Sequence, residues 1–325
     1  MPRTRLPRIL AALALAVVTS TVLIAPPAAA EPFRGAVYNA RTNPRTAFKI
    51  NRYTDYVPQG IAYGEGHFFQ TQYNWRYPGN DSLIVVHSAK GAFQKAVYIA
   101  EGHVGGVAIR GNWLYVVTNV GGQGRLRTYS IAKILATPHG KYVAVAKGRG
   151  VVNIGDGNDE AGAFIAIVGK RIYFGTHTKD ASYSRNGRMW YYNIRADGKP
   201  VKPKGNTLVA IPPNVQGMAV SGGSYLFSQS WDRDCWSRFK VTDRERPSVG
   251  GRSIFGPSGA EDLATNRGVL YITYESAAYL YNGGDGSNHA RNPVTYVHAG
   301  DLSDFVYAVW RRGWTSVPSG SNTCD

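Results

Sequence analysis

The stretch Val215-Gln216-Gly217-Met218-Ala219-Val220-Ser221-Gly222-Gly223-Ser224-Tyr225-Leu226 decides the fold. An apolar-small step runs into a Gly-Gly turn, and an apolar-aromatic strand leaves it, which is the pattern of a β-hairpin. The same pattern occurs four more times. The copies are Gly60-Ile61-Ala62-Tyr63-Gly64-Glu65-Gly66-His67-Phe68-Phe69, Gly106-Val107-Ala108-Ile109-Arg110-Gly111-Asn112-Trp113-Leu114-Tyr115, Phe164-Ile165-Ala166-Ile167-Val168-Gly169-Lys170-Arg171-Ile172-Tyr173 and Asp262-Leu263-Ala264-Thr265-Asn266-Arg267-Gly268-Val269-Leu270-Tyr271. They align without gaps. Ala62, Ala108, Ala166, Ala219 and Ala264 fill one column, each behind an apolar residue (Ile61, Val107, Ile165, Met218, Leu263). Successive copies lie 46, 58, 53 and 45 residues apart, the length of a four-stranded propeller blade. A small residue in a fixed column has a physical reason: inner strands crowd around a central axis, where a large side chain would collide with its neighbour.

Outward from each hairpin the chain continues in strand-like pieces. These are 82–87 and 95–99, 126–131 and 142–146, 189–194 and 207–211, 238–241 and 252–255, then 279–281 and 294–298. Turn clusters such as Tyr77-Pro78-Gly79-Asn80-Asp81 and Gly121-Gly122-Gln123-Gly124 separate them. Only Leu302–Trp310 has a short helical pattern. The expected fold is all-β: a five-bladed β-propeller as one domain, residues 31–325, with 32–57 giving an outer strand or packing near the ring closure. A six-bladed ring that uses both terminal segments is the alternative.

Composition agrees with this reading. Of 325 residues, 43% are hydrophobic and 12% aromatic, which excludes a disordered chain. Two cysteines exclude a disulfide-dense scaffold or a multi-Cys zinc module. The 38 glycines and 21 tyrosines suit turns between short strands and aromatic packing between blades.

Residues 1–30 read as a secretory signal peptide. Arg3, Arg5 and Arg8 precede an apolar run from Ile9 to Ile24, and Ala28-Ala29-Ala30 forms a small-residue cleavage site. The expected location is extracellular, with no transmembrane anchor in the mature chain. The formal charge is +16, from 37 Lys+Arg against 21 Asp+Glu, and losing the three leader arginines leaves +13. An exported basic protein favours anionic partners such as acidic polymers. No run of five basic residues marks a specific nucleic-acid motif, and the chain is expected to be a monomer. An oxidising compartment would pair Cys235 with Cys324.

In a propeller the loops entering the innermost strands and those leaving the second strands share one face around the channel mouth. The position before each repeat holds Gln59, Gly105, Ala163, Gln216 and Glu261, and the second strands end at Tyr73, Asn119, His177, Ser230 and Glu275. Gln59, Tyr73, Asn119, His177, Gln216, Trp231 and Glu275 are therefore the expected ligand-binding residues. Amides, carboxylates, imidazoles and aromatics at equivalent positions suit a glycan. A channel whose polar groups only bond one another is the structural alternative.

Glu160 and Glu261 are the candidate acid and base or nucleophile of a glycoside hydrolase, because a carboxyl pair across the channel is what that chemistry needs. His103, or else His177, is the candidate base of a polysaccharide lyase. Asp156-Gly157-Asn158-Asp159-Glu160 lacks the twelve-residue calcium-loop spacing, so a polar loop is the reading and calcium the alternative. No other metal or cofactor is indicated.

Pro58-Gln59-Gly60-Ile61-Ala62, Gly102-His103-Val104-Gly105-Gly106-Val107-Ala108 and Val215-Gln216-Gly217-Met218-Ala219 resemble secreted, largely uncharacterised β-propellers of actinobacteria. More distantly the repeat is similar to strictosidine synthase and gluconolactonase propellers. The resemblance implies export and a propeller and implies no reaction. The Glu/Asn/Asp metal set of the distant families has no residue-by-residue counterpart here. Five-bladed glycosidases open an innermost strand with a catalytic Asp, and Gln59 stands in the first such place. The functional expectation is a secreted propeller that binds a polar or anionic, glycan-like ligand at the channel face. A carbohydrate-active enzyme on the same face and a cell-envelope interaction protein are the alternatives.

Overall fold

The computed structural model describes residues 38–39, 46–50, 53–149, 151–155, 161–178, 187–205, 207–231, 235–248, 250–281, 290 and 293–313. All of them belong to one compact unit, Glu31–Asp325.

Each repeat is the inner hairpin of one blade of a five-bladed β-propeller. The inner strands are Tyr56–Gly64, His103–Arg110, Phe164–Val168, Val215–Ser221 and Ala260–Asn266. Their antiparallel second strands are His67–Asn74, Trp113–Val120, Arg171–Gly175, Ser224–Gln229 and Val269–Tyr274. Two more strands complete the first blade (Ser82–Ser88, Phe93–Ile99), the second (Gln123–Ser130, Val151–Asn153) and the fourth (Ser237–Asp243, Arg252–Gly256). In the third blade two short pieces, Pro200–Val201 and Val209–Ile211, share the outer edge of Gly187–Ile194.

The ring closes through the fifth blade. Its third strand is Tyr296–Asp301, and its outermost strand is Thr46–Lys49 from the N-terminal side of the chain. The expected outer strand within 32–57 is thus found, and the six-bladed alternative is replaced by a ring of five. Closure through a strand from the other end of the sequence leaves the seam held by ladder hydrogen bonds as well as packing. Tyr38 adds to the seam. It stacks on Phe239 at 5.5 Å, its hydroxyl meets that of Tyr274, and it lies 2.6 Å from His298 Nδ1. Burial pushes the His298 pKa down to about 4, so its ring is neutral there.

The repeat columns explain why the blades stack. Each interblade core takes the alanine of one blade and the apolar residue of the next. Ala62 meets Val107, Ala108 meets Ile165, Ala166 meets Met218, Ala219 meets Leu263, and Ala264 meets Ile61. Neighbouring residues on a strand point to opposite faces, so one two-residue step serves two interfaces, and five steps close the circle. A pair of one small and one larger side chain fills each gap near the axis without overlap.

Some local expectations change. Tyr142–Ala146 forms no strand: Tyr142 makes a single bridge to Tyr98, and Val151–Asn153 takes the outer place in the second blade. Tyr279–Tyr281 is a 3₁₀ turn rather than a strand, because aromatic residues fit any half-buried surface and do not specify a ladder. A helix at Ile131–Ala136 follows directly from a strand, with the Ser130 hydroxyl capping the Lys133 N–H. The helix at the end of the chain is longer than expected, Leu302–Arg312, with Asp301 as its N-cap. Its Leu302, Phe305, Val306 and Val309 pack into the core between the fourth and fifth blades. Cys235 is buried and is not a free thiol. Its expected partner Cys324 lies outside the described residues.

Candidate functional site

A backbone irregularity places the site. The inner strands of the first, second, fourth and fifth blades break register at Pro58/Ile61, Val104/Val107, Val215/Gly217 and Ala260/Leu263. A β-bulge re-aims the side chain it carries and bends the strand. Gln59, Gly105, Gln216 and Glu261 all stand in these bulges. Bulged backbone has unpaired groups, and hydroxyls of the second strands bridge them. Thr71 Oγ1 accepts from Gly60 N–H and donates to Gly105 O, both at 2.8 Å, and Ser228 Oγ donates to Glu261 O. Gly60 has to be glycine here: a Cβ would sit 2.7 Å from Gly105 O and from Val107 N.

The bulges surround a cavity of about 390 Å³ at the channel mouth. It is lined by Gln59, Tyr73, His103, Gly105, Asn119, Gly162, Ala163, His177, Gln216, Ser230, Trp231, Glu275 and Tyr281. The seven expected ligand-binding residues and His103 are thus brought to one cavity, with every blade contributing. Glu261 lies behind the lining at 2% exposure. Glu160, Asp156, Asn158 and Asp159 lie outside the described residues, so the Glu160–Glu261 pairing has no described geometry.

The fifth blade supplies both carboxyl groups, and each meets a glutamine from an adjacent blade. Gln59 Nε2 donates to Glu275 Oε2 at 3.1 Å, and Gln216 Nε2 donates to Glu261 Oε1 at 3.2 Å. Burial raises the Glu261 pKa well above the usual carboxylate range, and the neighbouring Glu275 and Asp262 raise it further, against the opposing Gln216 hydrogen bond. His103 pairs with Asn119 across the second blade's ladder. His103 also stands edge-on to Tyr73, with ring centres 4.1 Å apart. Tyr73 and Tyr281 meet through their hydroxyls at 3.2 Å. His177 Nε2 lies 3.0 Å from Ser230 O, and the Arg238 guanidinium lies 4.4 Å over the Trp231 ring.

Below the mouth sits a group that the sequence reasoning missed. Asp262 is fully buried and accepts from the backbone N–H groups of Ile61 (3.2 Å), Val107 (3.0 Å) and Leu263 (2.9 Å). It thereby ties the inner strands of the fifth, first and second blades to one another. Burial outweighs these three hydrogen bonds and pushes its pKa up to about 8. Its signal in the sequence is positional: it occupies the column where three other repeats carry Gly60, Gly106 and Gly217. Tyr281 was missed because its segment was read as a strand. The described residues include no group of three or more His, Cys, Asp or Glu placed to hold a metal ion.

Comparison with known proteins supports the architecture. No family model matches the sequence, and no curated protein matches it. Among solved structures, a GH43 β-xylosidase/α-arabinofuranosidase from a compost microbial metagenome, in complex with xylotriose and calcium-free, is similar with a TM-score of 0.51 and 10% identity. That match covers 78% of this chain and 92% of the other. The PQQ-bound aldose sugar dehydrogenase of Streptomyces coelicolor matches at TM-score 0.47 and 14% identity, over 79% of this chain and 96% of that one. A chain of the nidogen/laminin complex matches at 0.44 and 10%, over 76% and 86%. At these identities the likeness is one of fold. It places the chain among propellers, a fold shared with sugar-active enzymes, and identifies no sequence family.

Proposed function

We propose that this protein is a secreted β-propeller that binds a glycan-like ligand in the polar channel mouth. The observation that carries the reading is the lining of the cavity. Planar donors and acceptors (Gln59, Asn119, Gln216, Glu275, His103, His177) alternate with the rings of Tyr73, Trp231 and Tyr281. Hydroxyl-rich ligands need this combination: aromatic surface for their C–H faces and converging polar groups for their hydroxyls. An acidic polymer is a partner for the basic outer surface. Export accounts for both partners, and it is tested by sizing the mature protein from culture medium for a start at Glu31.

A panel of oligosaccharides tested by calorimetry on wild type and Trp231→Ala checks the binding reading. Binding that falls by roughly tenfold in the variant, about 1.4 kcal/mol, supports it. Absence of binding across neutral, acidic and amino sugars sinks it.

A second reading, a carbohydrate-active hydrolase, is favoured by Glu261, whose pKa burial and the neighbouring Glu275 both raise. An acid that keeps its proton and a second carboxyl nearby are the components of glycoside cleavage. In that case Glu261→Gln and Glu275→Gln abolish turnover and leave affinity in place. Turnover that persists in both variants removes this reading. A lyase would depend on His103 instead, and His103→Ala separates the two.

A further inference from the structure

Two successive seams of the ring are built alike at the end opposite the polar mouth. Trp113 and Arg171 open the second strands of the second and third blades there. In the repeat, Tyr115 and Tyr173 share one column. Each turns toward the next blade: Tyr115 lies in the core between the second and third blades, and Tyr173 in the core between the third and fourth. Each has arginines around it. Arg110 and Arg149 both act on Tyr115, and the Arg149 guanidinium lies 4.1 Å over the Trp113 ring. At the next seam the Arg171 guanidinium lies 4.4 Å over the Tyr191 ring and hydrogen-bonds Tyr173. Tyr173 in turn bonds Tyr225, with ring centres 6.4 Å apart. Arg244 bonds Tyr225 from the far side and lies 5.4 Å from the centre of its ring. The second seam is thus a continuous chain, Arg171–Tyr173–Tyr225–Arg244, across the blade boundary.

The two seams differ in one group. At the first, the chain supplies its own carboxylate. Asp197 is among the charges that act on Tyr115. Its backbone carbonyl accepts from Arg149 Nε at 2.6 Å, and its Oδ1 lies 3.8 Å from Arg195 Nε. The Lys199 N–H holds the Asp197 pKa below its ordinary value; desolvation opposes this, and Arg195 and Arg149 add to it. At the second seam no carboxylate takes this place. Neither Arg171 nor Arg244 forms an ion pair with a described residue. Asp243 and Glu245 flank Arg244 in sequence, but Asp243 Oδ1 accepts from the Glu245 N–H at 2.9 Å and neither carboxylate pairs with an arginine. Ring faces and hydroxyls hold these two guanidinium groups in position and leave their charge uncompensated.

We propose that the seam between the third and fourth blades, on the face opposite the polar mouth, binds a carboxylate of an acidic polysaccharide between Arg171 and Arg244. A guanidinium fork meets a planar carboxylate with two parallel N–H···O bonds. Arg171 is exposed and Arg244 half-buried, while Tyr173 and Tyr225 are buried beneath them. The tyrosines therefore position the arginines and offer no open ring face to a nucleobase, which a single-stranded nucleic acid would need. The inference gives a defined place to the acidic polymer named above as partner of the basic surface. It rests on that part of the functional reading and is independent of what the mouth binds.

The test titrates octagalacturonate into the full mature chain by calorimetry at low and high salt, beside neutral maltooctaose, duplex DNA and phosphatidylserine vesicles. Octagalacturonate is expected to bind roughly tenfold or more tightly than maltooctaose, with a preference that shrinks as salt rises. The pair Arg171→Gln and Arg244→Gln is expected to weaken it by roughly tenfold or more. Lys90→Gln with Lys133→Gln removes two charges from exposed positions elsewhere and is expected to change it by less than about twofold. Arg171→Lys with Arg244→Lys keeps the charge and loses the fork, so a loss of about threefold or more is expected. This lysine pair is the readout if a thermal melt shows the glutamine pair unfolded, and unchanged binding in it overturns the inference. Equal losses in the arginine-to-glutamine pair and the Lys90/Lys133 control overturn it in favour of diffuse charge. DNA or vesicles binding more tightly than octagalacturonate, and lost in the same arginine variants, overturn the polysaccharide assignment. Octagalacturonate binding that survives Trp231→Ala supports the seam, and binding lost in that variant places the octamer in the mouth. No octagalacturonate binding overturns the inference and leaves the glycan reading of the mouth to its own test.

Discussion

The two ends of the central channel are built on the same five inner hairpins and are lined by different side chains. At one mouth the cavity lining is Gln59, His103, His177, Gln216, Trp231, Glu275 and their neighbours. At the other, a cavity of about 300 Å³ is lined by Ile61, Ala62, Val107, Ala108, Met218, Ala219, Leu263 and their neighbours. The apolar end repeats faithfully from blade to blade, because each residue there must fit a neighbour on both sides. The polar end varies: Gln, Gly, Ala, Gln and Glu stand in one column. The requirement to stack ends at the bulge, and above it each blade is free to carry a different group. Structure and candidate function are therefore separated along the length of a single strand.

The largest effect should come from breaking the apolar end. Leu263→Ala removes a buried side chain from the core between the fourth and fifth blades, where it meets Ala219. The expected loss is about 2–5 kcal/mol by denaturant melt. A folded Leu263→Ala should bind ligand with unchanged preference, and a changed preference would show that the two ends are coupled.

Enlarging the small column should cost less. Ala62→Leu forces extra methylenes against Val107 and Phe69, at about 1–3 kcal/mol. A neutral result would mean that the alanine column reflects something other than crowding at the axis.

Asp262 lies between the two ends and sharpens the contrast through pH. Its folded pKa of about 8 lies above its ordinary value of 3.8. Between those values the folded protein holds a proton that the unfolded chain has lost, so stability falls as pH rises from about 4 to about 8 and then levels. The expected slope from this group is at most about 1.4 kcal/mol per pH unit. Glu261 shifts in the same direction and adds to the fall. Asp262→Asn should flatten the profile, measured as melting temperature from pH 4 to pH 9. A wild-type protein whose stability rises across this range would show that Asp262 is ionised in the fold.

The smallest change in stability should come at the polar end. Trp231 is half-buried at the cavity rim, so Trp231→Ala should cost under about 1 kcal/mol while lowering ligand affinity. A large loss of stability without loss of binding would make Trp231 a packing residue.

Much of the candidate site could be read from the repeat alone, since a fixed column in a closed ring must converge on the axis. That is why Gln59, Asn119, Gln216 and Glu275 fall on one cavity although 216 residues separate the first from the last. Asp262 was not read as a site residue because its role depends on a departure from the column: a carboxylate replaces glycine, and its hydrogen-bond donors belong to other blades. The depth of Glu261 was equally hidden. Sequence placed it at the mouth, and only the bulge decides that its carboxyl turns behind Gln216.

The sequence by itself determined the inner hairpins and the residues that stack, because period and column follow from the chain's own repetition. Tertiary structure alone decided that five blades complete the ring, how it closes, and which carboxyl groups have their pKa raised. Thr46–Lys49 pairs with Tyr296–Asp301 across nearly the whole chain, and no local pattern records such a partner. The upward shifts of Glu261 and Asp262 come from burial, and for Glu261 also from the carboxyl groups of Glu275 and Asp262 that folding brings near, quantities that exist only once water has been excluded from around them.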